Sequence, residues 1–195
     1  MQIAVLGWGS LIWCPGSLRI KTPWHNDGPE LPIEFARISG DRRLTLVLHP
    51  GSPNQRTYWS PSMFETLEAA RENLKVREGT VPKHIHSLTN SGQAVVEIDR
   101  VIAAAIHDWL DTKQHLNAAI WTGLPSNWNE RRGQQFSPED AVAHATELES
   151  TQAEYDRARE YVSNAPAQIQ TPARRLLRER KGWIDAALSP SLFVT

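Results

Sequence analysis

Cysteine is almost absent from this chain: Cys14 stands alone among 195 residues. A lone thiol excludes an internal disulfide and any zinc site built from several cysteines, and Trp13-Cys14-Pro15 lacks the second Cys that a thioredoxin-type motif requires. A charge excess is lacking too. Lys and Arg number 21 against 22 for Asp and Glu, a net charge of −1, so no global field gathers nucleic acid or an anionic membrane. A small neutral or zwitterionic ligand fits that balance better. No stretch approaches the roughly 18 apolar residues of a membrane span. Met1 leads into a strand pattern rather than a basic segment followed by an apolar run, which points to the cytoplasm rather than to export. Repeats and low-complexity tracts are missing as well. The length is that of one domain, residues 1–195, with a helical C-terminal part from about 137.

What is present is concentrated near the N-terminus. An apolar strand, Ile3-Ala4-Val5-Leu6-Gly7, runs into Trp8-Gly9-Ser10-Leu11-Ile12-Trp13. Two glycines around one bulky residue let the main chain turn tightly and bring bare N–H groups to an anionic or carbonyl ligand, and Ser10 adds a hydroxyl. The plainer reading is that Gly7 and Gly9 only relieve crowding at a strand end. A dinucleotide fingerprint does not fit, because Ile12 stands at the third glycine position and Trp13-Cys14-Pro15-Gly16 cannot open a long helix. The Gly-x-Ser-x-Gly nucleophile elbow is absent from Gly-Trp-Gly-Ser-Leu-Ile.

Short β-branched segments bounded by turn formers predict strands at 3–7, 33–39, 43–48, 56–60 and 118–124, joined in one sheet or barrel. The loop from Pro15 to Pro32 is too long for a simple connector and is a candidate site wall. Ser62-Met63-Phe64-Glu65 predicts a capping box opening a helix that Gly79 closes. Further helices are expected from about Asp99 to Gln114, from Ser137-Pro138 through to Asn164, and from Thr171-Pro172 to Gly182. The last carries Arg174, Arg175, Arg178, Arg180 and Lys181, which read as a solvated basic face.

In the 62–79 helix, Phe64, Leu67, Ala70 and Leu74 mark the inward stripe. At about 100° per residue Glu78 falls on that stripe, one turn beyond Leu74. A carboxylate on an apolar face at a helix C-terminus is disfavoured as an anion by desolvation and by the helix dipole, so its pKa should rise toward the range of a general base. The alternative is a frayed last turn with Glu78 in water, paired with Arg77.

Gly7-Trp8-Gly9-Ser10-Leu11-Ile12-Trp13 closely resembles the Gly-Tyr-Gly-Ser-Leu-Ile-Trp signature of the γ-glutamylcyclotransferase-like superfamily, above all its ChaC-type branch. Leu74-Lys75-Val76-Arg77-Glu78-Gly79 is similar to the segment that carries that family's catalytic glutamate, and the resemblance spans residues 3–79. It departs at Trp8, where the family has Tyr, and before the helix, where the expected Gly-x-Val/Leu-Tyr strand stands only as Arg56-Thr57-Tyr58-Trp59. The resemblance implies an α+β fold, a small mixed β-barrel with flanking helices. It also implies cyclisation of a γ-glutamyl amide or peptide to 5-oxoproline, with Glu78 as acid/base and no metal or nucleotide cofactor. Trp8, Gly9, Ser10, Leu11 and Arg37 then form the substrate-binding set. The alternative from another class is a non-catalytic small-molecule or protein-binding domain on the same fold, which the change at Trp8 favours.

Other constellations carry less. His84-Ile85-His86 could direct two imidazoles to one side of a strand, but no acidic or third histidine partner is in register for a metal. Trp8, Trp13, Trp24, Trp121 and Trp128 lie in or near turns and are candidates for a pocket wall or for core-edge packing. Arg37 could meet a substrate carboxylate, or sit exposed or paired with Glu34.

Overall fold

Strand β1, Ile3–Gly7, is buried along its whole length, and pairing on both its sides organises the first part of the chain in the computed structural model, which describes residues 1–21 and 23–194. Two compact units emerge, each built from separate segments: residues 1–31, 56–124 and the C-terminal segment from 189 in one, residues 32–55 and 125–188 in the other.

The first unit holds a four-stranded sheet. β1 lies between β5 (Tyr58–Pro61), antiparallel with Gly7 opposite Tyr58, and β7 (Ala118–Thr122), parallel with Val5 opposite Ile120. β7 pairs antiparallel with β6 (Ile85–Thr89), Thr122 opposite Ile85, which gives the order β5-β1-β7-β6. Central strands covered on both faces need continuous apolar sequence, and β1 and β7 supply it. Helix α1 (Leu67–Glu78) leads from β5 to β6 and packs on β6 and β7; α2 (Arg100–Asp111), capped by the Asp99 carboxylate, joins β6 to β7. The parallel strands β1 and β7 both end, and β5 and β6 both begin, at one edge of the sheet, and α1 returns the chain to that edge. The long 15–32 loop is stitched along β5, with Lys21 N donating to Pro61 O, His25 and Trp59 exchanging backbone bonds, and Gly28 N donating to Thr57 O.

The second unit holds a sheet in the order β3-β2-β4, from β2 (Glu30–Ile38), β3 (Leu44–Leu48) and β4 (Asn54–Arg56). With it go α3 (Trp128–Arg132), α4 (Pro138–Leu148), α5 (Gln152–Asn164) and α6 (Pro172–Lys181); α5 packs on β3, and α4 on α5 and α6. The buried Glu34 accepts from Phe35 N and from Ala173 N in the first turn of α6.

The chain is therefore α+β, with two small sheets and six helices among the described residues, and both sheets are open rather than closed into a barrel. Several local expectations are corrected. The capping box at Ser62 does not form, because Ser62 still extends the strand, its N–H bonded to Ile3 O; Thr66 caps α1 instead, accepting from Ala69 N. The helix expected from 137 to 164 breaks at 149–151, where Ser150 bonds back to Glu147 O and extended Thr151 restarts the chain as α5. Strand β6 and the short α3 lie in segments for which the sequence predicts no defined element, although His84-Ile85-His86 has the alternation of a strand face.

The basic run on α6 is a solvated face only in part: Arg175 and Arg180 are exposed, but Arg174 is not. Arg174 is fully buried and donates to the carbonyls of Pro166, Ile169 and Ala165, beyond the C-terminus of α5, with Asp185 at 3.1 Å as counter-ion. Arg178 also pairs with Asp185, and Lys181 with Glu149. The described residues contain no helix long and apolar enough to cross a membrane. Because an apolar residue at 174 would orphan three buried carbonyls, Arg174→Leu is expected to cost about 3 kcal/mol, read as a lower urea midpoint in far-UV circular dichroism.

Candidate functional site

At the sheet edge where β1 ends, the chain turns through Trp8-Gly9-Ser10-Leu11. Ile12 N donates to Gly9 O and Cys14 N to Ser10 O, so the turn is closed by its own backbone. Among the described residues, no acceptor meets the N–H groups of Gly9, Ser10 and Leu11. Trp8 and Leu11 are buried, leaving their backbone as what they can offer a ligand. Gly7 has a packing role: a Cβ there would come within 2.8 Å of the Trp24 ring, whose indole is itself in the core. The crowding explanation therefore applies to Gly7.

Helix α1 brings the acid to the same edge. It ends where Gly79 takes a left-handed conformation (φ 58°), with Gly79 N bonded to Val76 O and Thr80 N to Lys75 O, the Schellman pattern. The last turn is thus held, not frayed. Ala70 and Leu74 are buried on the expected stripe, and Glu78 follows them with its side chain only 15% exposed.

Arg77, which was no part of the expected site, joins the two segments. Its Nη1 donates to Glu78 Oε1 at 2.6 Å, its Nη2 to Ser10 Oγ at 3.2 Å and Cys14 O at 2.6 Å, and its Nε reaches Pro15 O at 3.4 Å. One turn earlier on the same helix, Asn73 accepts from Arg19 N and donates to Ser17 O, so the loop after the turn is fastened to α1 at two successive positions. No described residue donates to Glu78 Oε2.

Burial pushes the Glu78 carboxyl above its ordinary value, and the Arg77 charge and hydrogen bond only partly offset this. Both sequence readings are in that sense half realised: the Arg77–Glu78 pair exists, yet it is withdrawn from water. Two further hydroxyls on the sheet, Ser87 Oγ and Thr122 Oγ1, are buried without a partner among the described residues, and Thr122 ends β7 at the edge where Gly7 ends β1.

Of the expected residues, then, Glu78, Ser10, Gly9, Leu11 and Trp8 belong to one unit, with Glu78 and Ser10 bridged by a single guanidinium. Arg37 lies in the second unit, donates to Pro125 O at 2.7 Å and is not paired with Glu34. His86 packs edge-on against Trp121 and covers Gly123, and His84 Nδ1 lies 2.8 Å from Thr80 Oγ1. No group of three or more His, Cys, Asp or Glu among the described residues could hold a metal ion. Trp8, Trp24, Trp121 and Trp128 are all core residues rather than an open wall. No family model, no curated protein and no solved structure matches the chain.

A carboxyl whose pKa is raised by folding makes the native state pay for its ionisation. The cost is absent below the unfolded value near 4.5, grows as pH rises toward the native value, and is complete above it. Glu78→Gln keeps an acceptor for Arg77 without the charge. It should melt higher than wild type at pH 8 and at the same temperature at pH 4, a difference that thermal denaturation at the two pH values measures.

Proposed function

We propose that this chain is a γ-glutamylcyclotransferase-like enzyme that closes a γ-glutamyl amide or peptide to 5-oxoproline and releases the amine. The observation that carries the reading is Glu78: a withdrawn carboxyl with one oxygen held by Arg77 and the other without a protein donor, bridged through Arg77 to a turn of unpaired amides.

The chemistry asks little more of the protein. Oε2 of Glu78 takes a proton from the substrate's α-ammonium, and the freed amine attacks the γ-carbonyl carbon within the same molecule. A five-membered ring and an oxyanion form. Glu78 passes its proton to the departing nitrogen and the original amide C–N bond breaks; it then takes the second proton of the ring nitrogen and hands it to the released amine, so that 5-oxoproline and an ammonium group leave with Glu78 again ionised. Because nucleophile and electrophile share one molecule, holding the folded conformer supplies much of the acceleration. The N–H groups of Gly9, Ser10 and Leu11, which have no acceptor among the described residues, and the Ser10 hydroxyl would hold the substrate carboxylate or the oxyanion. No step passes through a metal or a nucleotide. A finer kinship with the γ-glutamylcyclotransferase architecture, though without a closed barrel, and a cytoplasmic setting travel with this reading. Its architectural support is the mixed sheet whose edge carries both turn and acid.

The test is to incubate the protein with glutathione and a panel of γ-glutamyl amines and assay 5-oxoproline. Wild type is expected to form it, and Glu78→Gln to form it about 10²–10⁴-fold more slowly, the usual contribution of a positioned general acid/base. Ligand retention by wild type with no product would instead establish a non-catalytic binding domain. Product from Glu78→Gln at the wild-type rate would remove Glu78 from the chemistry.

A further inference from the structure

The guanidinium of Arg77 has more partners than an ion pair needs. Nη1 is on Glu78, Nη2 on Ser10 and Cys14, Nε on Pro15, so all three of its nitrogens are committed to the acid or to the turn and loop that face it. Its side chain is 12% exposed, and the contacts span more than sixty residues of sequence. A planar fork of five donors suits such bridging; an ammonium, with its donors on one atom, does not. We propose that Arg77 is a positioning residue: it fastens the Ser10–Pro15 segment to Glu78 and commits Oε1, so that Oε2 alone is left to exchange a proton with a ligand seated on the Gly9–Leu11 amides.

This deepens the reading under Proposed function and rests on it for the identity of the ligand, not for the clamp itself. Asn73 fastens the neighbouring Ser17–Arg19 stretch to α1 without touching Glu78, and so separates the loop from the acid. Arg77 is the one charged group among the described residues that acts on the Glu78 carboxyl, and the loop residues it grips, Ser10, Cys14 and Pro15, bring no charge to it.

Three variants decide the matter. Arg77→Gln removes both charge and bridge, Arg77→Lys keeps the charge and loses the bridge, and Asn73→Ala loosens the loop alone. The readouts are kcat/KM against pH, the carboxyl titration of Glu78 by carbon NMR, and amide hydrogen exchange at Ile12 and Cys14. Arg77→Gln is expected to lower kcat/KM about 100-fold, the scale of an ångström's misplacement. It should also move the acid limb of the profile, and the Glu78 titration, to higher pH, because the cation that favours the carboxylate is gone. Arg77→Lys should leave that limb near its wild-type position yet still lower kcat/KM and speed exchange at Ile12 and Cys14. Asn73→Ala should leave the Glu78 titration where it was.

Full recovery of rate and exchange protection in Arg77→Lys would overturn the clamp, since charge alone would then suffice. So would an unmoved Glu78 titration in Arg77→Gln, or the same shift in Asn73→Ala. If wild type forms no 5-oxoproline, the cyclotransferase reading fails, while the titration and exchange arms still decide the role of Arg77.

Discussion

An ion pair between sequence neighbours is ordinarily worth little, because two long side chains lose entropy to make one contact that water would serve almost as well. The Arg77–Glu78 pair differs in its surroundings. Both side chains are largely withdrawn from solvent, and the guanidinium finds its remaining partners on main-chain carbonyls and a hydroxyl that do not themselves bond to Glu78. The cation is therefore fixed independently of the acid. In the proposed chemistry that would let the carboxyl accept and return a proton with its partner in place.

The geometry depends on where α1 stops. Neighbours on a helix point about 100° apart and do not face each other. At Gly79 the chain leaves the helix through a left-handed residue, and Arg77, next to last in the helix, meets the loop that follows β1 while it holds Glu78. Parallel pairing of β1 with β7 decides the rest. It sets the ends of both strands on the edge to which α1 returns, so the amides after Gly7 and the acid before Gly79 share a neighbourhood although some seventy residues separate them. In open sheets with parallel strands that edge is where ligands ordinarily bind.

Much of this was legible in the sequence. β1, the glycine turn, the α1 stripe and its stop at Gly79 all follow from local patterns whose physics is local: apolar continuity, missing Cβ atoms, helical period, a left-handed cap. What was not legible depended on distant contacts. Arg77 lies off the apolar stripe and reads as a solvent-facing cation, and only the return of the 10–15 loop shows that its face is covered. Arg174 misleads in the same way: a helix rich in Arg and Lys suggests an exposed face, while the carbonyls left open beyond α5 draw one of those arginines fully inside. Ser62 failed as a cap because a strand partner, Ile3, claimed its N–H first. For Arg37 the sequence suggests a carboxylate ligand or a cation exposed or paired with Glu34, and the bond from its Nη1 to Pro125 O is a contact from a distant segment that no local pattern announces.

The aromatic exchange at position 8 weighs less on the proposed chemistry than the sequence alone suggests. Trp8 is buried, so its ring is part of the packing beneath the turn, and what this segment offers outward is main chain. A set of backbone donors is indifferent to the side chains that position it, provided the turn keeps its shape, and the bonds from Ile12 to Gly9 and from Cys14 to Ser10 hold that shape from within. The side chains that do matter, Ser10, Arg77 and Glu78, form one connected hydrogen-bonded row from turn to acid. A ligand bridging the two ends of that row would have to carry an anionic or carbonyl oxygen at one end and a proton-bearing nitrogen at the other. A γ-glutamyl group has both, separated by a short flexible chain, and bending that chain until the ends meet the row is also the motion that brings its nitrogen to its own carbonyl.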